Sequence, residues 1–240
     1  VDSDDFIDKN MIMYLYNAMI TYQADMACCQ RQEVKENGEL IIARKKYKSF
    51  IINGNSKCMK EFLSNPQMDT VAWGKIYKLA MFKDIKYPVG KYHEDVFTTY
   101  KIIAKCKKIF VGARMYYYYR IRPASITTSI FTEHHLDAIK GSEERALFIK
   151  NNYPDLQKLA NAKIIYAVNQ CVLKVIRTQD KNVIANGIIE YFQKYYKKYE
   201  VDFLCGPSCA KAKIFSIFAY INLPILIKIL KRYRIKSYML

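Results

Sequence analysis

Apolar residues along the chain recur in two rhythms, and their alternation predicts a mixed α/β architecture. Met11, Tyr14, Leu15, Ala18, Met19 and Tyr22 are spaced three and four apart, which places them on one face of a helix, and Asp8 is the expected N-cap. Ala24 to Gln30 is a short, mostly apolar run consistent with a buried strand. Asn37-Gly38 lies between Gln32-Glu33-Val34 and Leu40-Ile41-Ile42, a pattern that predicts a hairpin. Ser56 to Leu63 reads as a short helix. In Tyr87-Pro88-Val89-Gly90-Lys91-Tyr92-His93-Glu94-Asp95, Pro88 and Gly90 punctuate the chain. Val96, Phe97, Tyr100, Ile103 and Ala104 then return at helical spacing. Lys107 to Val111 leads to Gly112, and Met115 to Arg122, dense in tyrosine, predicts a strand that Pro123 stops, with Ser125-Ile126-Thr127 as a polar exit.

From about His134 the rhythm is helical. Ile164, Ile165, Val168, Cys171, Val172, Val175 and Ile176 mark one helix face over three turns. Ile184 to Tyr199 predicts another helix, ending in Lys194, Lys197 and Lys198, and Pro207 makes a break. Ile214 to Ile227 is fourteen residues without a charge, flanked by Lys213 and Lys228. As a helix it is roughly 21 Å long against about 30 Å of hydrocarbon, and Pro224 adds to the case against spanning. Two readings stand side by side: a helix lying on a membrane surface with Lys and Arg at the headgroups, and a core helix packed on the rest of the tail.

Charge changes this picture through its placement. Lys and Arg number 39 against 22 acids, a net +17, and no acidic residue follows Asp202. A basic tail suits an anionic surface. No interleaved basic and aromatic pattern of an RNA-binding sheet accompanies it, so nucleic acid is not the expected partner. At 51% hydrophobic residues the chain can build a core, which excludes global disorder. The seven cysteines are odd in number and sit mostly in apolar runs, which fits reduced thiols in a cytoplasm. Cys205 and Cys209 lack the spacing and the second pair of a zinc knuckle, and His134-His135 has no metal-ligand partner by spacing. The sequence opens at Val1 in the middle of a motif, which suggests a fragment of a longer protein.

Two acidic clusters carry the candidate chemistry. Glu94 and Asp95 fall at the start of a helix, where the dipole favours their ionised forms; read alone, the pair is a helix cap. Asp2, Asp4 and Asp5 form a second cluster, also just ahead of a helix. Asp-x-Asp presents hard oxygen ligands suited to Mg²⁺ or Mn²⁺ held together with phosphate oxygens. The other cluster supplies a base for an attacking hydroxyl, although a helix start depresses a carboxylate's pKa and a low pKa weakens a base. Arg120 and Arg122 alternate along the tyrosine strand, so both guanidiniums are placed to face one phosphate, or form a surface pair. Trp73 is a stacking platform for a sugar ring or a core residue. His93 contacts an acceptor or serves the turn. No Gly-rich phosphate loop, nucleophile elbow or zinc signature occurs.

Four motifs in order, Val1-Asp-Ser-Asp-Asp5, Trp73-Gly-Lys-Ile-Tyr77, Tyr87 to Asp95, and Tyr117 to Ile126, resemble the family-2 glycosyltransferases of bacterial surface-polysaccharide synthesis. The resemblance covers about the first 130 residues and implies the C-terminal part of a GT-A fold over 1–132, followed by an α-helical region over 133–240. It implies an inverting transfer from a nucleotide-diphospho-sugar, with UDP expected, to a hydroxyl of a glycan or lipid-linked acceptor. Asp2 and Asp4 match the metal and diphosphate site for Mn²⁺ or Mg²⁺, and Asp95 the catalytic base with Glu94 beside it. Trp73, Lys75, Tyr92 and His93 fall where the sugar and acceptor bind, and Arg120, Arg122 and Ser125 match a segment near the donor diphosphate. The strands that hold the nucleotide base in such enzymes come before Asp-x-Asp and are not in this sequence. A cytoplasmic location, with peripheral contact at the inner membrane face, is the expected setting. The alternative is a non-catalytic fragment or accessory protein that binds a partner chain or an anionic surface.

Overall fold

The structure is a computed structural model that describes residues 1–41, 46–122, 125, 129–178 and 187–232. It divides into two compact units, Val1–Val89 with Glu94–Thr128, and Gly90–His93 with Ser129–Leu240. The first is an α/β unit. Its elements in order are β1 (Phe6–Ile7), α1 (Met11–Tyr22), β2 (Met26–Val34), β3 (Phe50–Asn53), α2 (Asn55–Ser64), β4 (Lys75–Tyr77), α3 (Glu94–Ile103) and β5 (Lys108–Arg120). The second holds α4 (Asp137–Asn152), α5 (Gln157–Arg177), α6 (Ile188–Cys205) and α7 (Ala210–Arg232).

β5 is the spine of a curled five-stranded sheet in the order β1-β5-β2-β4, with β3 also paired to β5. One edge of β5 carries β3 antiparallel over Lys108 to Val111 and β1 antiparallel at Tyr117 and Tyr118. Its other edge runs parallel to β2, with the register irregular around Gln30, and β4 closes that side antiparallel to β2. The sequence pattern breaks this strand at Gly112, but the structure runs it through. Gly112 is where Tyr14 of α1 and the Cys28 carbonyl of β2 come closest: a Cβ there would meet the Tyr14 hydroxyl at 2.6 Å and the Cys28 oxygen at 3.1 Å. The glycine is a close-approach position, not a strand end.

α1 buries Met11, Leu15 and Ala18 as expected, against Ala24, Ala27, Phe110 and Tyr117. Its start differs from the expectation. Asn10 occupies the N-cap without a side-chain cap bond, while the Asp8 carboxylate accepts the Asn10 N–H at 2.8 Å and the Asp8 carbonyl accepts the Met11 N–H at 2.9 Å. Asp8 therefore shapes the turn ahead of the helix. The hairpin signal yields a tight turn, with Gly38 at φ 85° and an antiparallel bridge between Val34 and Leu40; Ile42 lies outside the described residues, as do Pro123, Ile126 and Thr127.

In the helical unit, α5 buries Ile164, Ile165, Val168, Cys171, Val172 and Val175, as its periodicity predicts. α6 continues past Tyr199 to Cys205 because Phe203 is also buried, and it stops where Gly206, preceding Pro207, takes extended backbone (φ −79°, ψ 175°). The first residues of the predicted helix, from Ile184, lie outside the described residues. The four helices pack as α4 on α5, α5 on α6, and α7 on both α5 and α6. α7 is broken by non-helical backbone at Asn222 (φ −158°, ψ 89°), two residues before Pro224. The Asn222 carboxamide oxygen then accepts the Ile225 N–H at 3.0 Å and restarts the helix.

Gly112→Ala is expected to destabilise the first unit by about 1–3 kcal/mol through overpacking, measured as a fall in the urea midpoint at unchanged slope. An unchanged midpoint would show that Tyr14 swings aside at no cost.

Candidate active site

The Asp-x-Asp turn is held from the sheet. Tyr117, fully buried on β5, accepts the Asp2 N–H at 3.1 Å and donates its hydroxyl to Asp5 Oδ2 at 2.8 Å. The Arg120 N–H donates to Asp5 Oδ1 at 2.8 Å, and its Nε to the Asp4 carbonyl at 2.9 Å. Asp5 thus anchors the turn. Burial and the bond to Asp5 push the Tyr117 hydroxyl far above the ordinary tyrosine range, so it remains a donor.

Both sequence-predicted arginines come to this turn. The Arg122 guanidinium forms an ion pair with the Asp4 carboxylate. Arg120 also reaches the Glu36 carbonyl at 2.6 Å and lies over the Phe6 ring. The expected shared strand face is not what unites them, because β5 ends at Arg120 and Arg122 lies beyond it. Ser125 sits half-buried in a bend, with 123–124 and 126–128 on either side outside the described residues. Asp2 is exposed, and among the described residues its carboxylate has no hydrogen-bond or ion-pair partner. Partial desolvation and the nearby carboxylates of Asp5, Asp4 and Glu94 raise its pKa.

Glu94 and Asp95 do open a helix, α3, directly after His93, whose φ of 56° is left-handed. The electrostatic expectation for Asp95 is overturned. Burial, then the Glu94 carboxylate, push it up to about 6, against a bond from the Val96 N–H and the attraction of Lys75. Desolvation outweighs the helix dipole. Lys75, on β4, is tucked inward: its ammonium donates to the Val71 carbonyl. Burial lowers its pKa while Asp69, Cys28 and Asp95 pull the other way.

Lys75 and Trp73 line a cavity of about 300 Å³ with Gln30, Arg31, Glu33 and Asp69 among its other walls. Trp73 stacks on Tyr117 at 4.2 Å between ring centroids and 14° between planes. It is neither a closed core residue nor a free-standing platform, since one edge of its stack is the sheet and the other the cavity. Arg31 lies over the Trp73 and Tyr119 rings and pairs with Asp69 at 3.1 Å.

Tyr92 and His93 belong to the helical unit. Tyr92 stacks on His134 at 5.0 Å and donates its N–H to Asp137 Oδ2 at 3.3 Å, and His93 is tilted toward His135. Tyr117, Asp69 and Arg31 were not singled out by sequence reasoning. Tyr117 is one of four consecutive tyrosines with nothing local to distinguish it, and Asp69 lies in a loop that carries no motif.

The donor set for a divalent cation is hard oxygen, and Asp2 in a field of like charges fits one. Among the described residues no three His, Cys, Asp or Glu side chains converge as a metal cage. The fit is therefore to a cation held by one or two carboxylates and phosphate oxygens, as Mg²⁺ is commonly bound.

No family model matches the chain. It is 28% identical over 170 residues to glycosyltransferase GlyA of Streptococcus pneumoniae serotype 4, an alignment that takes in 67% of this chain and 24% of GlyA. In fold it is similar to TarS of S. aureus, with a TM-score of 0.50 and 17% identity over 98% of this chain and 65% of the TarS chain.

Two outcomes follow from these contacts. Because native Asp95 holds its proton to about pH 6 and the unfolded chain releases it near 4, ionisation opposes folding. Asp95→Asn should then stabilise the protein by about 1–3 kcal/mol at pH 8 and by almost nothing below about pH 4, read from urea midpoints across pH; an equal gain at both extremes would show that charge is not the cause. Tyr117→Phe should cost about 1–2 kcal/mol by stranding Asp5 and leave Trp73 fluorescence unchanged, because the ring stack survives; a shifted emission maximum would show that the hydroxyl also sets the stack. The chain is thus similar in sequence to one segment of glycosyltransferase GlyA, and its α/β fold with a helical C-terminal region is similar to that of TarS.

Proposed function

We propose that this chain carries the metal, sugar and base elements of an inverting glycosyltransferase, which moves a sugar from a nucleotide-diphospho-sugar, with UDP as the nucleotide, to a hydroxyl of a glycan or lipid-linked acceptor in cell-surface polysaccharide synthesis. The chain spans about a quarter of GlyA, so the activity is proposed for the whole protein. Residues 1–132 supply the catalytic portion and 133–240 a helical region, and the nucleotide-sugar places the reaction in the cytoplasm.

The observation that carries the reading is Asp95: a desolvated carboxylate with its pKa raised to about 6, in the field of Lys75, which lines the Trp73 cavity. A base tuned toward neutrality combines ready proton acceptance with ionisation at working pH. Glu94 stands between the two clusters electrostatically, raising both Asp95 and Asp2. In the proposed step the acceptor oxygen attacks the anomeric carbon, Asp95 takes the hydroxyl proton, and the bond from that carbon to the diphosphate oxygen breaks, inverting the configuration. Trp73 stacks on a sugar ring, and Lys75, whose charge favours the ionised base, lines the cavity beside it. Arg120, Arg122 and Ser125 face the diphosphate. Asp2 and Asp4 would hold Mn²⁺ or Mg²⁺, which when bound neutralises charge on the leaving diphosphate.

Full-length protein should turn over a UDP-sugar with Mn²⁺ or Mg²⁺ and lose turnover with excess chelator. Asp95→Asn should lower kcat by on the order of a thousandfold and leave donor affinity within about threefold, and the wild-type rate should rise with pH around a midpoint near 6. Normal turnover by Asp95→Asn would refute the base, and metal-independent turnover would refute the role of Asp2 and Asp4.

A further inference from the structure

α7 is apolar on two opposite sides. One side, Phe215, Ala219, Leu223, Ile227 and Leu230, is buried against α5 and α6, where Ser216 also donates to Glu200 at 2.6 Å. The other side, Ile214, Ile217, Phe218, Ile221, Ile225 and Ile229, is exposed, with Phe218 at 56% and Ile221 at 68%. Before the break at Asn222, Ile214, Ile217, Phe218 and Ile221 follow one another at three- and four-residue steps and share a helix face about 11 Å long; after it, Ile225 and Ile229 are one four-residue step apart, so the exposed apolar stripe comes in two segments. Stepping on by three or four in each direction reaches Lys211 at one end and Lys228 and Arg232 at the other, all exposed. No acidic residue lies anywhere after Asp202. Six large apolar side chains in one stripe exceed the scattered exposure of an ordinary soluble surface.

We propose that this stripe lies in the surface of an anionic phospholipid bilayer, with Phe218 and the isoleucines below the headgroups and Lys211, Lys228 and Arg232 among the phosphates. Charge selects this occupant. A second copy laid stripe to stripe would bring cations against cations in either orientation, whereas anionic headgroups neutralise them. Long basic side chains at the ends of an apolar stripe reach the phosphates while their methylenes stay in the apolar layer. α7 is long and apolar enough to cross a membrane, but one of its sides is already committed to α5 and α6, and the break at Asn222 interrupts the backbone ladder that a spanning helix needs. An in-plane position satisfies both constraints. The inference is independent of the glycosyltransferase reading.

The test is co-sedimentation of the full chain with vesicles of phosphatidylglycerol and phosphatidylcholine, against vesicles of phosphatidylcholine alone. Binding is expected only to the former, weakening in high salt. Phe218→Asp with Ile221→Asp should lose at least tenfold in vesicle affinity, and Lys211→Gln with Lys228→Gln at least threefold, both with unchanged thermal unfolding because all four side chains are exposed. Absence of binding to anionic vesicles, equal binding to neutral ones, or unchanged binding by the aspartate variant would overturn the proposal. So would resistance to alkaline extraction, the mark of a spanning helix, or a concentration-dependent dimer that the aspartate variant dissolves.

Discussion

A single hydroxyl ties the acidic turn to the sheet. Tyr117 receives the Asp2 N–H, gives its proton to Asp5, and offers its ring to Trp73. Its oxygen fixes the loop that carries the aspartates and its face fixes the aromatic wall of the cavity, so both are referenced to one buried side chain. The arrangement relies on burial. In water a phenol–carboxylate bond is worth little, but inside the unit each lost bond would leave a desolvated partner. Arg120 adds a second attachment through its backbone, and so the turn is held by the strand itself and not only by flexible side chains.

Around this anchor the unit concentrates negative charge that it does not neutralise. Asp4 has Arg122 and Asp5 has Tyr117, while burial and the Glu94 carboxylate raise both Asp2 and Asp95. Folding against such repulsion costs stability, and proteins tolerate that cost mostly where a ligand or a reaction makes use of it. Lys75 attracts the Asp95 charge from a distance, but it is itself desolvated and its ammonium is bonded to the Val71 carbonyl, so the attraction does not offset Asp95's burial.

The fold was legible where periodicity is a statement about burial. The stripes of α1 and α5 and the helix opening at Glu94 were readable because a face that must be covered leaves a rhythm in the sequence. The strand through Gly112 was not, because the glycine answers to Tyr14 and Cys28, residues remote in sequence. Asp8 misled for a similar reason: it has the chemistry of a cap but serves a turn two residues earlier. For the candidate site, the acidic pairs and Trp73 stood out as motifs, whereas Tyr117 and Asp69 matter only through contacts. The pKa of Asp95 could not be inferred from the helix start, since its direction is set by how much solvent the folded unit removes.

The position of β5 also dictates when the first unit can form. Met26 of β2 pairs with Ile109, and β1 pairs with Tyr117 and Tyr118, so β1 and one edge of β2 find their partners among nearly the last residues of the unit. Loop closure over such spans comes before any ladder bond rewards it, which makes this topology slow to assemble. On the ribosome, α1 and β2 must wait with Met11, Leu15 and Ala27 exposed until β5 emerges. That interval, rather than the finished fold, is when this unit is most open to aggregation and most in need of a chaperone.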